Sequence, residues 1–186
     1  MTEREKFLKG VTVICDSREQ VNQHIIAHLD KHGIAHEERK LDYGDYSFRY
    51  EDKIHRWDFT RSCVAERKAN VDELYNNIMN DRGRLEKELE TASRLAKQMT
   101  VFIENCASAD DLKRYSLSEY EMLHNGRKLQ KIGEPVYDTL ESWRVGNRYS
   151  FSICYCKGKT ETAAKMLEMF YRYWHNYKEM VKARKK

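Results

Sequence analysis

Short apolar runs alternate with helically spaced apolar residues along the first third of the chain. Residues 10–15 are rich in β-branched side chains and are followed by polar residues 16–19, as when a buried strand reaches the rim of a sheet. Apolar residues then recur three and four positions apart over 21–33, which predicts an amphipathic helix, and residues 34–41 predict a second strand. The opening unit is therefore strand, helix, strand.

The same alternation continues to about residue 105. Aromatic and polar side chains alternate over 46–50, and 62–66 is a short apolar run that ends in charge, so the pattern predicts neighbouring strands joined by a polar hairpin. A helical register runs over 71–95 with a break at 81–83, and residues 100–105 predict another buried strand. This order predicts an α/β fold with a mixed central sheet flanked by helices.

The second half of the chain carries a weaker pattern. Residues 109–123 and 136–145 predict two helices, and 148–156 alternates as a strand does. Thr160 is the predicted cap of a long last helix, whose broad apolar stripe includes Phe170, Tyr173, Trp174 and Tyr177. That stripe is explained either by the protein core or by a dimer interface.

A length of 186 residues suits a single domain with a core of ordinary size. We expect that domain to span residues 1–186, with three parts: a core at 11–105, a poorly readable helical segment at 106–148, and a final strand and helix at 149–181. The net charge of +4 is a small difference between 34 basic and 30 acidic side chains, so it does not separate nucleic-acid binders from other proteins. Local patterns must decide the function.

The cysteines and the longest apolar runs bear on the compartment. Five cysteines, an odd number, lie mainly in apolar runs, which predicts free and largely buried thiols in a reducing, cytoplasmic setting, or a nuclear one in a eukaryote. No stretch approaches the ~20 consecutive apolar residues that span a bilayer. A soluble intracellular protein is expected, with no membrane partner.

Charged side chains stand just beyond three of the predicted strands, at Asp16, at Asp45 and at Glu66-Arg67-Lys68. Residues two apart in a strand point to the same face, so Glu66 and Lys68 project together while Arg67 points away. Such carboxylates suit Mg²⁺ or Mn²⁺, which prefer oxygen ligands. A bound cation would polarise a phosphodiester and activate a water, and Lys68 would orient that water or stabilise the developing charge.

These residues resemble the XPF-type structure-specific endonuclease domain, a branch of the PD-(D/E)xK nuclease superfamily. The matching motifs are Asp-x-Arg-Glu at 16–19, Gly-Asp at 44–45, Glu-Arg-Lys-x-x-x-Asp at 66–72 and Ile-Glu at 103–104. A lone Glu-x-Lys carries no information, but the complete series in this order is specific. The resemblance covers residues 11–105 well, and residues 160–163 resemble the start of the family's last nuclease-domain helix.

The resemblance implies a restriction-endonuclease-like core and an endodeoxyribonuclease that depends on Mg²⁺, with Mn²⁺ as a substitute. By it, Asp16, Asp45 and Glu66 are the metal ligands and Lys68 is the catalytic lysine. The whole set of site residues that it implies is Asp16, Arg18, Glu19, Asp45, Glu66, Arg67, Lys68 and Asp72. Asp72 has an equally good structural explanation, because an acidic residue in the first turn of a helix is stabilised by the helix dipole.

The implied substrate is DNA that is branched or partly single-stranded, such as the flaps and forks of repair and recombination. Family members pair through the nuclease domain, so a homodimer or a partner subunit is also implied. Cellular members usually continue into tandem helix-hairpin-helix modules, which this sequence does not reach. A compact form of this kind suits a bacterial or phage protein and leaves the preferred DNA structure open.

Other functions compete with this interpretation. A non-catalytic DNA-binding or scaffold protein could use the same fold, although the sequence retains every acid and the lysine. A restriction-type nuclease that reads a base sequence would need a recognition element, for which only residues 106–148 are unassigned. His24, His28 and His32 recur at helical spacing, but no cysteine or carboxylate pattern completes a zinc site, so a helix surface is favoured.

Overall fold

The computed structural model of the protein describes residues 1–117, 122–123 and 131–184. Seven strands of the described chain lie in one sheet: β1 Val11–Cys15, β2 Ala35–Glu38, β3 Tyr46–Glu51, β4 Arg56–Asp58, β5 Cys63–Lys68, β6 Gln98–Ile103 and β7 Ser152–Tyr155. The helices described are α1 Glu3–Gly10, α2 Gln23–Lys31, α3 Val71–Asn80, α4 Arg82–Leu95, α5 Ala109–Arg114, α6 Gly133–Val145 and α7 Lys159–Ala183.

The sheet is mixed, as the sequence predicts, and its strands follow the order β2-β1-β3-β5-β6-β7, with β4 paired to β3. Strand β3 is antiparallel to both β1 and β5, whereas β2 is parallel to β1 and β6 and β7 continue parallel to β5. Parallel neighbours need a crossover connection. Helix α2 provides it between β1 and β2, and α3 with α4 provides it between β5 and β6.

Helices cover both faces of the sheet, because side chains alternate along each central strand. On β5, Val64 packs into one apolar core with α3, α4 and α6, while Cys63 and Ala65 pack into a second core with α1, α2 and α7. The short apolar run of β5 is therefore buried on both sides. This explains why the sequence shows an unbroken run here rather than an alternation.

The apolar stripe of α7 belongs to the core of the chain. Phe170 and Trp174 are fully buried, and the ring of Phe170 stacks on Phe48 with centroids 4.7 Å apart. Tyr173 and Tyr177 are partly buried against the same core. The alternative of an interface built on this stripe is therefore wrong for Phe170 and Trp174, because side chains already buried in one chain have no surface to offer a second.

Some predicted elements end earlier than the pattern suggested. The helix predicted over 109–123 ends at Arg114, since Tyr115 is extended and Ser116 forms a bridge with Lys131. Residues 118–121 and 124–130 of that region lie outside the described residues. The strands predicted over 34–41 and 148–156 are shorter, at Ala35–Glu38 and Ser152–Tyr155.

Two further details differ from the sequence predictions. Strand β4 lies within the segment that the sequence predicted as a polar hairpin, and it pairs with β3. Its three residues are too few to show the alternation that predicts a strand. Thr160 does not cap α7: the cap position is Gly158, and Glu161 accepts a hydrogen bond from the Lys157 N–H at 3.0 Å instead. The predicted break near 81–83 is confirmed, because Asp81 separates α3 from α4.

All five cysteines are free, four are buried and Cys154 is partly exposed. Within the described residues, no helix combines the length and the apolarity needed to cross a bilayer.

Replacement of Phe170 tests its assignment to the core. We expect Phe170→Ala to lower the free energy of unfolding by about 3–5 kcal/mol, as for other large buried aromatic residues. Met180→Ala on the same helix is the matched control, and its partly exposed side chain should cost less than about 0.5 kcal/mol. Urea titration followed by circular dichroism measures both, and equal effects would contradict the assignment.

Candidate active site

The acidic residues meet where β1, β3 and β5 run side by side. The pairing continues past the ends of the strands: the Asp16 N–H donates to the Asp45 carbonyl at 2.7 Å, and the Asp45 N–H donates to the Ala65 carbonyl at 2.8 Å. Glu66 follows Ala65 on β5. Main-chain hydrogen bonds therefore hold Asp16, Asp45 and Glu66 beside one another, although the three are far apart in the sequence.

Gly44 makes the turn that presents Asp45. Its φ of +72° lies in the left-handed region, and an added Cβ would lie 3.2 Å from the Ala65 carbonyl oxygen and 3.2 Å from Val64 Cβ. Both the conformation and the close approach favour glycine. In the Gly-Asp pair of the sequence motif, the glycine thus forms the turn and the aspartate occupies the position that the turn creates.

Side chains alternate along β5 as strand geometry requires. The Lys68 Nζ donates to Glu66 Oε1 at 2.7 Å, and both side chains are buried. Arg67 points away from them, and its Nη1 and Nη2 donate to Glu104 at 2.9 Å and to Glu19 at 2.8 Å. The structure thus places Glu66 and Lys68 together and gives Arg67 different partners.

Arg67 supports the site although its side chain points away from Glu66 and Lys68. Its backbone N–H donates to Asp45 Oδ2 at 2.7 Å, so the residue that anchors β5 also fixes the Asp45 carboxylate. Glu104 is fully buried and binds both Arg67 and the Nε2 of His24, the latter at 2.7 Å. His24 is thus tied to this network rather than to the helix surface that its spacing favoured. Glu19 and Glu104 compensate the buried guanidinium.

Asp16 is fully engaged by its own neighbours. Its Oδ1 accepts from the Arg18 N–H at 2.8 Å and from Arg18 Nε at 2.7 Å, and its Oδ2 accepts from Arg18 Nη2 at 2.9 Å and from the Leu41 N–H at 2.6 Å. These bonds use the four acceptor positions of a carboxylate. Burial alone would raise the pKa of Asp16, but the bonds from Arg18 and Leu41 outweigh it and lower the pKa.

A cleft of about 400 Å³ opens above these residues. Seven of the eight predicted site residues line it; Asp72 does not, and Glu73 of the same first turn does. The Glu73 side chain reaches back to the Ala69 N–H at 2.7 Å. This outcome fits the structural explanation of Asp72 better than the functional one.

Helix α4 forms one wall of the cleft and was not part of the predicted site. It contributes Arg84, Lys87, Glu88 and Thr91, which are spaced to share one helical face. That spacing is visible in the sequence, but any solvated helix face shows the same pattern. Only the packing of Leu85, Leu89 and Ala92 against the core turns this face toward the acids.

The carboxylates in the cleft repel one another. Burial and the nearby Glu66 raise the pKa of Asp45 well above its usual range. Burial also raises the pKa of Glu66 to about 7; Lys68 opposes this rise, and the adjacent Glu88 carboxyl adds to it. Glu66 Oε2 is buried and has no hydrogen-bond partner. The cleft therefore presents partly compensated negative charge that a cation would stabilise.

The expected trio of Asp16, Asp45 and Glu66 is not arranged as one metal site. Among the described residues, no three His, Cys, Asp or Glu side chains form a ready cage. Both carboxylate oxygens of Asp16 already accept two hydrogen bonds each, and Glu66 Oε1 accepts one from Lys68. Asp45 and Glu66 Oε2 remain, and two carboxylates suffice for Mg²⁺, which completes its shell with waters and phosphate oxygens. The residues present therefore fit such a cation.

Comparison with known proteins now decides the family. The ERCC4 domain matches residues 15–169 of this chain, which contain every residue of the cleft. The chain belongs to the ERCC4-domain family. This is a nuclease family, as the motif series implied.

Solved structures agree with the fold of the ERCC4 domain. XPF from Aeropyrum pernix is 14% identical, with a TM-score of 0.59, over 92% of this chain and 69% of that one. XPF from Aeropyrum pernix in complex with DNA is 12% identical, with a TM-score of 0.56, over 89% of this chain and 66% of that one. The ERCC4 domain described here thus spans about two thirds of these relatives. No match was found among curated proteins.

The assignment of Asp16 to the scaffold of this ERCC4 domain can be tested through stability. We expect Asp16→Asn to lower the free energy of unfolding by about 1–3 kcal/mol, because the charge-assisted bonds to Arg18 and Leu41 are lost or weakened. Urea titration in EDTA measures the change without any cation. Asp42→Asn is the control, since Asp42 forms an exposed pair with Arg61 at 3.1 Å, and its replacement should change stability little. A stability of Asp16→Asn equal to that of wild type would refute this role.

Proposed function

We propose that this chain is a Mg²⁺-dependent endodeoxyribonuclease that hydrolyses phosphodiester bonds in branched or partly single-stranded DNA. One observation carries the proposal: Glu66 is buried with Oε1 on Lys68 and Oε2 unpartnered, beside Asp45, in a cleft. A structural ion pair would leave no second acid there. Membership of a nuclease family supports the same conclusion.

Asp45 and Glu66 would hold the cation, and Mn²⁺ would substitute for Mg²⁺ because both prefer oxygen ligands. When bound, the cation supplies Lewis-acid polarisation of the scissile phosphate and lowers the pKa of a bound water. The protein orients both ligands in advance. The Arg67 N–H fixes Asp45 Oδ2 at 2.7 Å, and strand β5 fixes Glu66 in the sheet.

Lys68 supplies a positive charge that persists at neutral pH. Burial would lower its pKa, but Glu66 and Asp45 outweigh burial and raise it above its usual value. A protonated ammonium cannot act as a general base. We assign to Lys68 the stabilisation of negative charge that develops on the phosphate, and the orientation of the attacking water by donation.

Basic side chains at the rim of the cleft would bind the DNA backbone. Arg18 and Arg84 both line the cleft, and their side chains are 60% and 58% exposed. Lys87 is exposed beside Arg84 on α4. Arg82, in contrast, contacts Glu86 and the Trp143 ring and does not line the cleft. Two exposed guanidinium groups suit sequence-independent contacts to phosphates.

Selectivity for DNA structure rests on the family and on the XPF relative solved in complex with DNA. The rim contacts described above bind phosphates, which carry no base identity. A junction or flap offers a bend and a single-stranded arm that reach a recessed acidic site more easily than a stacked duplex does. Recognition through the shape of the branch therefore fits this cleft better than recognition of bases.

Removal of one proposed ligand tests the catalytic role. We expect Asp45→Asn to reduce cleavage of a labelled flap in Mg²⁺ by more than about 100-fold, since even partners of metal ligands contribute about 10- to 100-fold. The fold and most of the DNA affinity should persist. Glu66→Gln should also abolish cleavage, but it leaves the buried Lys68 ammonium unpaired and should lower stability as well.

The control for these variants is Asp110→Asn, an exposed acid in the first turn of α5, which should cut as wild type does. Gel assays with EDTA, Mg²⁺ or Mn²⁺ give the rates, and circular dichroism checks the fold. Folded Asp45→Asn protein that cuts at the rate of wild type would refute the proposed site.

A second experiment tests structure selectivity. With a flap of constant geometry and permuted sequence, cuts should stay at one distance from the branch, because the cleft reads backbone and shape. Single-stranded, duplex, fork and four-way substrates show which structure is preferred. Cuts that follow the bases instead would favour the restriction-type alternative, and binding without any cutting would favour the scaffold alternative.

A further inference from the structure

Glu88 on α4 brings a third carboxylate to the acids of the cleft. It lies on the helical face that also carries Arg84 and Lys87, and it lines the same cleft as Asp45 and Glu66. The ordered motifs that link Asp16, Asp45 and Glu66 do not include it. Glu88 is therefore identified by its location in the cleft and not by a sequence motif.

A main-chain hydrogen bond holds Glu88 in place. Its Oε1 accepts from the Gly44 N–H at 3.1 Å, and Gly44 directly precedes Asp45. Glu66 lines the same cleft as Glu88. Helix α4 is thus tied to the turn that presents Asp45, one of the two proposed ligands.

The neighbouring Glu66 supplies an independent sign of a ligand. Glu66 is 3% exposed, and its Oε2 is buried with no hydrogen-bond partner. Another carboxylate is a poor neighbour for such an atom, because both groups only accept when ionised. A cation between them satisfies both, whereas a purely structural acid at position 88 would leave Glu66 with an unfavourable neighbour.

We infer that Glu88 contributes the third carboxylate to the divalent cation site formed with Asp45 and Glu66, in place of Asp16. Asp16 accepts four hydrogen bonds from Arg18 and Leu41, whereas Glu88 accepts one from Gly44. The three carboxylates do not yet surround one point. Glu88 is only partly buried, and we expect its side chain to change rotamer when a cation binds. This inference rests on the proposed function.

Cation binding, rather than activity, tests the role of Glu88. Mn²⁺ is titrated by calorimetry into wild-type protein and into Glu88→Gln, which keeps an oxygen acceptor for the Gly44 N–H and removes the negative charge. We expect the affinity of Glu88→Gln for Mn²⁺ to fall by roughly tenfold or more. Glu90→Gln is the matched control, since Glu90 is exposed on the same helix and does not line the cleft. Its affinity should equal that of wild type.

Thermal unfolding with and without Mn²⁺ keeps the test decisive if Glu88→Gln is less stable. A cation that binds the folded state raises the unfolding midpoint, whatever the starting stability. Wild type and Glu90→Gln should shift upward by the same amount, and Glu88→Gln should shift much less. An equal shift in Glu88→Gln would overturn the role of Glu88 and leave the proposed function standing. Absence of any Mn²⁺ binding in wild type would overturn both.

Discussion

The buried guanidinium of Arg67 is the constraint on which the rest of the site depends. A charge placed inside the protein must be compensated, and Glu19 and Glu104 do this from two other segments of the chain. The same residue fixes Asp45 through its backbone N–H. One residue therefore links the loop after β1, the turn before β3 and the end of β6. The side chain of Arg67 binds Glu19 and Glu104, whereas its backbone N–H binds Asp45. These bonds fix Asp45 beside Glu66 although the two carboxylates repel each other.

The two faces of β5 have separate tasks near its end. Glu66 and Lys68 face the cleft, where charge is needed, while Arg67 joins the scaffold. The strand is parallel to β6 and lies in the interior of the sheet, so its backbone tolerates little displacement. This rigidity keeps Glu66 in a fixed position beside Lys68. The rim residues, in contrast, lie on a helix and a loop, where side chains can adapt to a backbone of variable course.

The sequence predicts those features that depend on neighbours along the chain. The period of a strand places Glu66 with Lys68, and the break at Asp81 follows from residues on either side of it. Features that depend on how elements pack were missed. The location of Glu88 in the cleft depends on how α4 is oriented about its axis. The hydrogen bond from the Leu41 N–H to Asp16 depends on the approach of a segment 25 residues away. Glu73 and Asp72 are adjacent in the first turn of α3, so their side chains point in different directions from the helix, and Glu73 is the one that lines the cleft.

The single residue between α3 and α4 also has a consequence for how this region tolerates changes of length. Asp81 alone separates α3 from α4, and the face of α4 that lines the cleft begins only three residues later, at Arg84. Each residue of a helix turns it by about 100°. An insertion or deletion between Asp81 and Glu88 would therefore turn Arg84, or Glu88, toward solvent or into the core. In contrast, residues 52–55 between β3 and β4 are an exposed connection, where additional residues would leave the register of both strands unchanged.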